Sequence, residues 1–235
     1  MIAEQIIREL KSHGDDGYKK IMISHGVKEP FFGVKIEYLK KIQKRIKKDH
    51  QLALDLYDTG ISDAMYLAGL IADDAKMSKR DLQRWVEKAY CPLHSEYTVP
   101  WVAAETAYGH ELALKWIESK KEGVAAAGWA TLGGLTTIKD DADLDLAELK
   151  QLLGRVEKTI HQQPNRVKYV MNGFVIAVGS YVKPFTDLAV KTSERIGEVK
   201  VDMGGTACKV PYAPDYIQKV RQRGRIGVKR KSARC

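Results

Sequence analysis

Glu96 is the residue of this sequence that is best placed to do chemistry. It is the one acid in a short segment between Pro92 and Pro100, where it lies among aromatic and small apolar residues. Because proline ends or kinks a helix near the preceding residue, the segment is read as a helix end, a turn at residues 91–93 and a new helix that begins near Ser95. The dipole and free N–H groups of a first helical turn stabilise an ionised carboxylate. Glu96 is therefore predicted either to steady a positive charge on a ligand or simply to cap a helix.

The neighbours of Glu96 suggest what else such a site could contain. Tyr90, Tyr97 and Trp101 lie close in sequence and offer aromatic surface for a planar ligand, although aromatic residues in helices more often belong to the core. His94 is the nearby side chain that titrates near neutral pH. We expect His94 to be a solvent-exposed loop residue, and the alternative is that it orients Glu96.

A second candidate site is basic. The first group of bases lies opposite an apolar stripe on a predicted helix, where the alternatives are phosphate contact and a solvated face; its members are Lys40, Lys41, Lys44, Arg45 and Lys48. The second group lies at the C-terminus, where eight bases occur without an acid in a chain of net charge +9; its members are Lys219, Arg221, Arg223, Arg225, Lys229, Arg230, Lys231 and Arg234. Since a stretch of this composition cannot bury itself, residues 219–235 are predicted to be a mobile arm that meets a polyanion.

Composition excludes several other classes of protein. With 235 residues, 44% hydrophobic and 29% charged, the chain is typical of a soluble globular protein. No apolar run approaches the roughly 18 residues of a membrane span, and the first residues lack a cleavable signal pattern, so we expect a cytoplasmic protein without a membrane partner. The three cysteines are far apart and form no C-x-x-C pair, so neither a disulfide framework, a metal site nor a cofactor is predicted.

The elements that must position these residues are helices. Apolar residues recur at helical spacing through most of the first 200 residues, and Ser78 with Asp81 forms a capping-box signature. One segment is ambiguous, because Asn172-Gly173 between two apolar runs is a hairpin signal, whereas the apolar residues of 167–178 also fall on one helical face. The pattern favours an all-α stack of antiparallel helix pairs without a strict sequence repeat.

Three parts of the chain differ in character. Residues 1–200 are predicted to form one elongated helical domain, residues 201–218 a Gly/Pro-rich extension packed on the last helices, and residues 219–235 the basic arm. An irregular superhelix of helix pairs has a concave face on which an extended ligand can lie. We expect a monomer.

Several stretches resemble the AlkD-like DNA alkylation repair proteins, which belong to the HEAT-like repeat DNA glycosylase superfamily. They are Phe-Phe-Gly-Val-Lys at 31–35 before a basic helix, Leu-Asp-Leu-Tyr-Asp-Thr-Gly at 54–60, Leu-Ala-Gly-Leu-Ile at 67–71, and Glu-Tyr-Thr-Val-Pro-Trp at 96–101. The resemblance covers most of residues 1–200. It implies an all-α HEAT-like repeat solenoid with a basic concave surface for duplex DNA, and a helix at Asn172-Gly173.

The resemblance also implies a site. Glycosylases of this family use a carboxylate, two tryptophans and an arginine to excise bases that methylation has made cationic. The carboxylate falls on Glu96, because the following Val-Pro matches Val99-Pro100, and the second tryptophan falls near Phe174. The first tryptophan falls near Pro92, where there is no indole, and the arginine falls near Ala126, where there is no base. Glu96, Trp101 and Phe174 are thus the candidate catalytic residues, and the basic groups are candidates for DNA phosphates.

These residues lead to three hypotheses on function. Losing one positioned stabiliser typically costs on the order of a hundredfold in rate, so the first is a DNA-binding, repair-related protein that grips duplex, damaged or branched DNA by its backbone. The second is an active glycosylase that releases 3-methyladenine and 7-methylguanine. The third is a non-enzymatic interaction scaffold, because helical solenoids often bind proteins.

Overall fold

The computed structural model describes residues 2–234 and is built from helices. Within that range there is no β-strand, and a single antiparallel bridge joins Gly14 and Val34. The helices are α1 Ala3–Ser12, α2 Asp16–Ser24, α3 Ile36–Ile46, α4 His50–Asp58, α5 Ser62–Ile71, α6 Lys79–Lys88, α7 Val99–Glu105 with a preceding π-helical turn Leu93–Thr98, α8 Gly109–Trp116, α9 Glu122–Ile138, α10 Leu146–Thr159, α11 Asn165–Tyr181, α12 Thr186–Ile196 and α13 Ala213–Gln222.

Local sequence signals explain where several helices begin and end. The Ser78 hydroxyl accepts a hydrogen bond from the Asp81 N–H at 3.1 Å, and the Ser78 N–H donates to the Asp81 carboxylate at 3.3 Å, so the predicted capping box opens α6. Gly197, with φ +72°, ends α12 in a conformation that favours glycine. The ambiguous Asn172-Gly173 pair lies in the middle of α11, which confirms the helix and excludes the hairpin.

The core consists of two clusters that meet in the middle of the chain. The first joins α1 and α3–α7, the second joins α9–α13, and both include residues of α7, α8 and α9. Helix α9 is the central element, since it packs against α7, α8 and α11. Gly128 makes the α8 contact possible, because a Cβ there would lie 2.7 Å from the Ile117 nitrogen. The π-helical turn, α9 and α11 thereby meet at one place.

The predicted boundary between the Gly/Pro-rich extension and the basic segment falls inside a helix. Residues 198–212 contain no helix, and α13 then runs across the predicted boundary between residues 218 and 219. Asn165 of α11 binds this extension by exchanging hydrogen bonds with the backbone of Asp202 at 2.7 and 2.8 Å. Cys208 of the extension approaches the N-terminal part of the chain, where its Sγ lies 3.7 Å from Nδ1 of His25, the residue after α2. The extension therefore contacts both the last helices and the beginning of the chain.

No single helix in residues 2–234 is long and apolar enough to cross a membrane. By length and composition alone, α11 and the following segment Lys183–Ile196 pass that test as a pair, with a bend of 114° between them.

Candidate functional site

A cavity of about 400 Å³ lies where the π-helical turn, α9 and α11 meet. It is open to solvent, and aromatic side chains and small residues form most of its wall. The three candidate catalytic residues of the sequence, Glu96, Trp101 and Phe174, all line it. The structure therefore brings together residues from two helices that are far apart in the chain.

The segment that carries Glu96 follows the predicted order of a helix end, a break and a new helix start: α6 ends at Lys88, residues 89–91 are not helical, and a new helix follows. The π-helical turn begins at Leu93, directly after Pro92, and leads into α7 without a break. Its hydrogen bonding changes from π to α at Val99, next to Pro100, which has no N–H to donate. The expected helix start near Ser95 is therefore two residues too late, although Glu96 does lie in the first turn.

Glu96 is buried and forms a forked ion pair with Arg166 at the start of α11. Arg166 Nε donates to Oε1 at 2.5 Å and Nη2 donates to Oε2 at 2.6 Å, while 1% of the Glu96 side chain is exposed. The Arg166 N–H donates to Glu122 at 2.6 Å, and its guanidinium lies 4.6 Å from the centre of the Tyr169 ring. The resemblance places the family's arginine near Ala126, where this chain has no basic residue, and α11 instead supplies Arg166 to Glu96 from 70 positions away in the chain.

The ion pair decides the electrostatics of Glu96. Burial raises its pKa above the ordinary value, and the hydrogen bonds and positive charge of Arg166 oppose part of this rise. The partner that keeps the carboxylate ionised is therefore an arginine rather than the helix dipole alone. Both oxygens accept hydrogen bonds from one guanidinium, so the negative charge of Glu96 is paired within the protein.

The two aromatic candidates are fixed by other aromatic rings. Trp101 lies edge-on to Tyr66 and to Tyr97, with ring centres 5.5 and 6.0 Å apart. Phe174 is buried and lies edge-on to Trp129 at 5.3 Å. Their rings cannot turn freely, which makes them a firm wall for a planar ligand.

His94 and Tyr90 do not belong to the cavity wall. His94 is buried rather than exposed in a loop, which corrects the sequence expectation: its Nε2 lies 2.8 Å from Ser62 Oγ and its Nδ1 3.3 Å from Thr98 Oγ1. Burial lowers the pKa of His94 to about 3. Tyr90 donates to the Gly60 carbonyl at 2.8 Å. Tyr97, in contrast, is 38% exposed and lines the cavity.

The first basic group lies on α3, except for Lys48, which follows the end of the helix, and two of its members pair with acids. Arg45 pairs with Glu9, and Lys48 pairs with Asp74 at 3.0 Å. Lys40, Lys41 and Lys44 make no recorded ion pair with any residue of 2–234. These three bases remain predicted phosphate contacts.

The expected mobile arm covers residues 219–235, and the described part of it, residues 219–234, is docked on the helices. Arg234 binds the carboxylates of Asp74 and Glu105 and donates to the Gly69 carbonyl at 2.8 Å. Lys229 pairs with Asp141 at 2.8 Å. Composition predicts mobility because the segment lacks acids of its own, but Asp74 in the loop after α5, Glu105 at the end of α7 and Asp141 after α9 supply the partners.

Docking leaves several lysines and arginines of this segment on the surface without an acidic partner. Lys219, Arg223, Arg225 and Lys231 are exposed, and none has a recorded ion pair with the rest of the described chain. Arg230 is exposed as well and lines the cavity, where its N–H donates to the Thr137 carbonyl at 2.8 Å. The docked segment thus holds positive charge beside the cavity. Arg221 differs, since it pairs with Asp187.

The chain is similar to one protein family, to two bacterial proteins and to one solved structure. The model of a family described as DNA alkylation repair enzyme matches residues 6–216. Uncharacterized protein Lin0241 of Listeria innocua and uncharacterized protein Lmo0209 of Listeria monocytogenes are each 32% identical over 226 residues, which is 94% of this chain and 97% of theirs. A solved structure described as a new family of proteins related to the HEAT-like repeat DNA glycosylases with affinity for branched DNA structures is 37% identical, covers both chains fully and superposes with a TM-score of 0.92. The likeness confirms the all-α, HEAT-like repeat architecture.

Proposed function

This chain belongs to the DNA alkylation repair enzyme family, and on that premise we propose that it binds branched DNA by its phosphates and does not excise bases. The solved relative, which is 37% identical over its whole length, has affinity for branched DNA according to its description. A full-length likeness at this identity supports the same class of ligand here.

One observation in particular supports a role in binding phosphates. The docked C-terminal segment holds Lys219, Arg223, Arg225 and Lys231 on the surface without acidic partners, and it places Arg230 at the edge of the cavity. Basic side chains on an ordered segment lose less conformational entropy when they bind DNA than the same side chains on a mobile arm. Contacts of this kind bind DNA without reading its sequence, and they release counterions, so affinity falls steeply with salt.

A fixed basic surface also favours a branch over a plain duplex. Phosphates of several strands converge where DNA branches, and their summed potential is stronger than that of one helix. Exposed lysines and arginines on one ordered segment suit such a convergence.

The experiment that tests this proposal compares a four-way junction with a linear duplex of equal length and phosphate number. We expect the purified protein to bind the junction at least about tenfold more tightly, measured by fluorescence anisotropy at fixed salt. Equal affinities would remove the preference for branches, and no binding of either DNA would remove the proposed function.

A second function, excision of alkylated bases, is favoured by the position of Glu96 in an aromatic cavity. It requires a carboxylate that can approach the sugar and stabilise the charge that develops there. Arg166 occupies both oxygens of Glu96, and this contact supports binding over excision.

A further inference from the structure

We propose that the cavity between the π-helical turn, α9 and α11 receives one unpaired, uncharged base of the bound DNA. This inference rests on the proposed function, because only bound DNA would bring a base to the cavity. The inference names the part of the DNA, an unpaired nucleobase, that the cavity would bind.

The first argument is that the cavity is too large to be a packing defect. Protein interiors have few voids larger than a water molecule, whereas this cavity of about 400 Å³ lies in the range of roughly 300–1,000 Å³ that is typical of ligand pockets. Small residues on the facing sides of α9 and α11 leave the space open, namely Ala130, Gly133, Gly134, Gly173 and Ala177.

The second argument is the chemistry of the wall. Tyr97 and Trp101 lie on the side of the π-helical turn and α7, and Tyr169 and Phe174 lie on the side of α11. Aromatic faces stack on any base, since every base has a π-face. Asn172 adds a polar group: its Nδ2 donates to the Pro211 carbonyl at 2.9 Å, and its Oδ1 has no recorded donor in residues 2–234, so it can accept a hydrogen bond from the edge of a base.

The third argument concerns charge. Glu96 is neutralised by Arg166, so the cavity offers no free carboxylate to attract a cationic base. A base that carries a positive charge would gain little there over an uncharged one. The wall of the cavity also carries a positive charge that is open to solvent, because the exposed Arg230 lines it. This arrangement suits an uncharged ring whose attached backbone is a polyanion.

Glycine at position 173 gives a clean test. A Cβ at Gly173 would meet nothing within 4 Å, and the residue lines the cavity, so the side chain of Gly173→Leu starts in open space there. Gly154 of α10 is the matched control, because a Cβ there also meets nothing within 4 Å and the residue is not part of the wall. Leucine is a better helix former than glycine at both positions, so both variants should fold.

The experiment uses two junctions that differ only in one unpaired nucleotide at the branch point, which carries adenine in the first and is abasic in the second. Stacking of one base contributes about 5- to 150-fold in affinity. We expect the wild type and Gly154→Leu to bind the adenine junction at least about fivefold more tightly than the abasic one. Gly173→Leu should bring this ratio close to one while its affinity for the abasic junction stays unchanged.

Three results would overturn the inference. A wild-type ratio of one would mean that the cavity binds no nucleobase. If the abasic junction were still bound tightly in that case, the proposed binding of branched DNA would hold without this inference. A Gly173→Leu ratio equal to that of the wild type would mean that the base lies elsewhere. A change in oligomeric state of Gly173→Leu with an unchanged ratio would mean that the cavity receives a second protein chain.

Discussion

Arg166 holds both carboxylate oxygens of Glu96 and so joins the start of α11 to the π-helical turn before α7. The acid that the sequence marks for chemistry therefore has a structural partner.

Removing Arg166 should destabilise the fold strongly. In Arg166→Met the buried carboxylate of Glu96 loses its only cationic partner within residues 2–234, and breaking a buried pair in this way costs about 3 kcal/mol. Urea unfolding of the variant and the wild type measures the difference.

The matched control for that variant is Arg195→Met. Arg195 forms the same forked contact with Glu157, but on the surface, where ion pairs contribute little. Equal losses of stability for the two variants would show that the Glu96 contact is no more than a surface pair.

Folding stability should fall as pH falls below about 6, and His94 should account for part of the fall. The pKa of His94 is lowered from 6.5 to about 3 by burial, so between these values the unfolded chain binds one more proton than the folded chain. Stability is then present above the unfolded pKa and is lost at up to about 1.4 kcal/mol per pH unit as pH decreases towards 3.

The measurement is the free energy of unfolding of the wild type and His94→Gln between pH 6.5 and 4.5. Carboxyl groups titrate in both proteins, so the difference between the two slopes isolates the histidine. We expect a shallower slope for the variant, and parallel slopes would refute a buried neutral His94.

Base excision should be absent. Arg166 binds both oxygens of Glu96 and offsets its negative charge, which weakens the stabilisation that the carboxylate could give to positive charge on a sugar. Micromolar protein incubated with methylated DNA should release no more 3-methyladenine or 7-methylguanine than buffer does, as measured by chromatography. Release by the wild type that Glu96→Gln abolishes would instead establish a glycosylase.

Arg234 should control the order of the C-terminal segment. Its side chain is 10% exposed and lies between Asp74 and Glu105, which are 8% and 18% exposed. In Arg234→Ala the backbone N–H groups of Arg230 and Ala233, which bind Thr137 and Glu105, should lose protection from hydrogen exchange. Affinity for a junction should fall at least about tenfold, because the exposed lysines and arginines of the segment must then become ordered when DNA binds.

Arg221→Ala is the control for this experiment. Arg221 belongs to the same segment but pairs with Asp187 on the surface, so its loss should leave the protection of Arg230 and Ala233 intact. Unchanged protection in Arg234→Ala would show that Arg234 is not the anchor.

Patterns that are local in sequence predicted the fold well. The capping box at Ser78 and Asp81 was enough to place the start of α6, because its partners are three residues apart. The Asn172-Gly173 pair shows the limit of local rules: its hairpin signal competes with the helical period of α11, and only the packing of α11 on α9 makes the helix the better solution.

Features that depend on distant partners were not predictable from the sequence. Arg166 reaches Glu96 across 70 positions, and nothing near either residue marks the other. His94 looked like a loop residue because it lies between prolines, yet α5 covers it through Ser62. The bases at the C-terminus were read as mobile because composition counts charges within a segment, whereas their acids belong to other helices.

The most direct test of the account is the salt dependence of junction binding by a variant that lacks the unpaired lysines and arginines of the docked segment. The variant replaces Lys219, Arg223, Arg225 and Lys231 with alanine, and the control replaces Lys20, Lys150, Lys158 and Lys191, which are also exposed and have no recorded ion pair within residues 2–234. Each lost phosphate contact lowers the slope of log affinity against log salt by about 0.9, so we expect a decrease of about 3 to 4 in the variant and little change in the control. Equal slopes for the variant and the wild type would contradict the account.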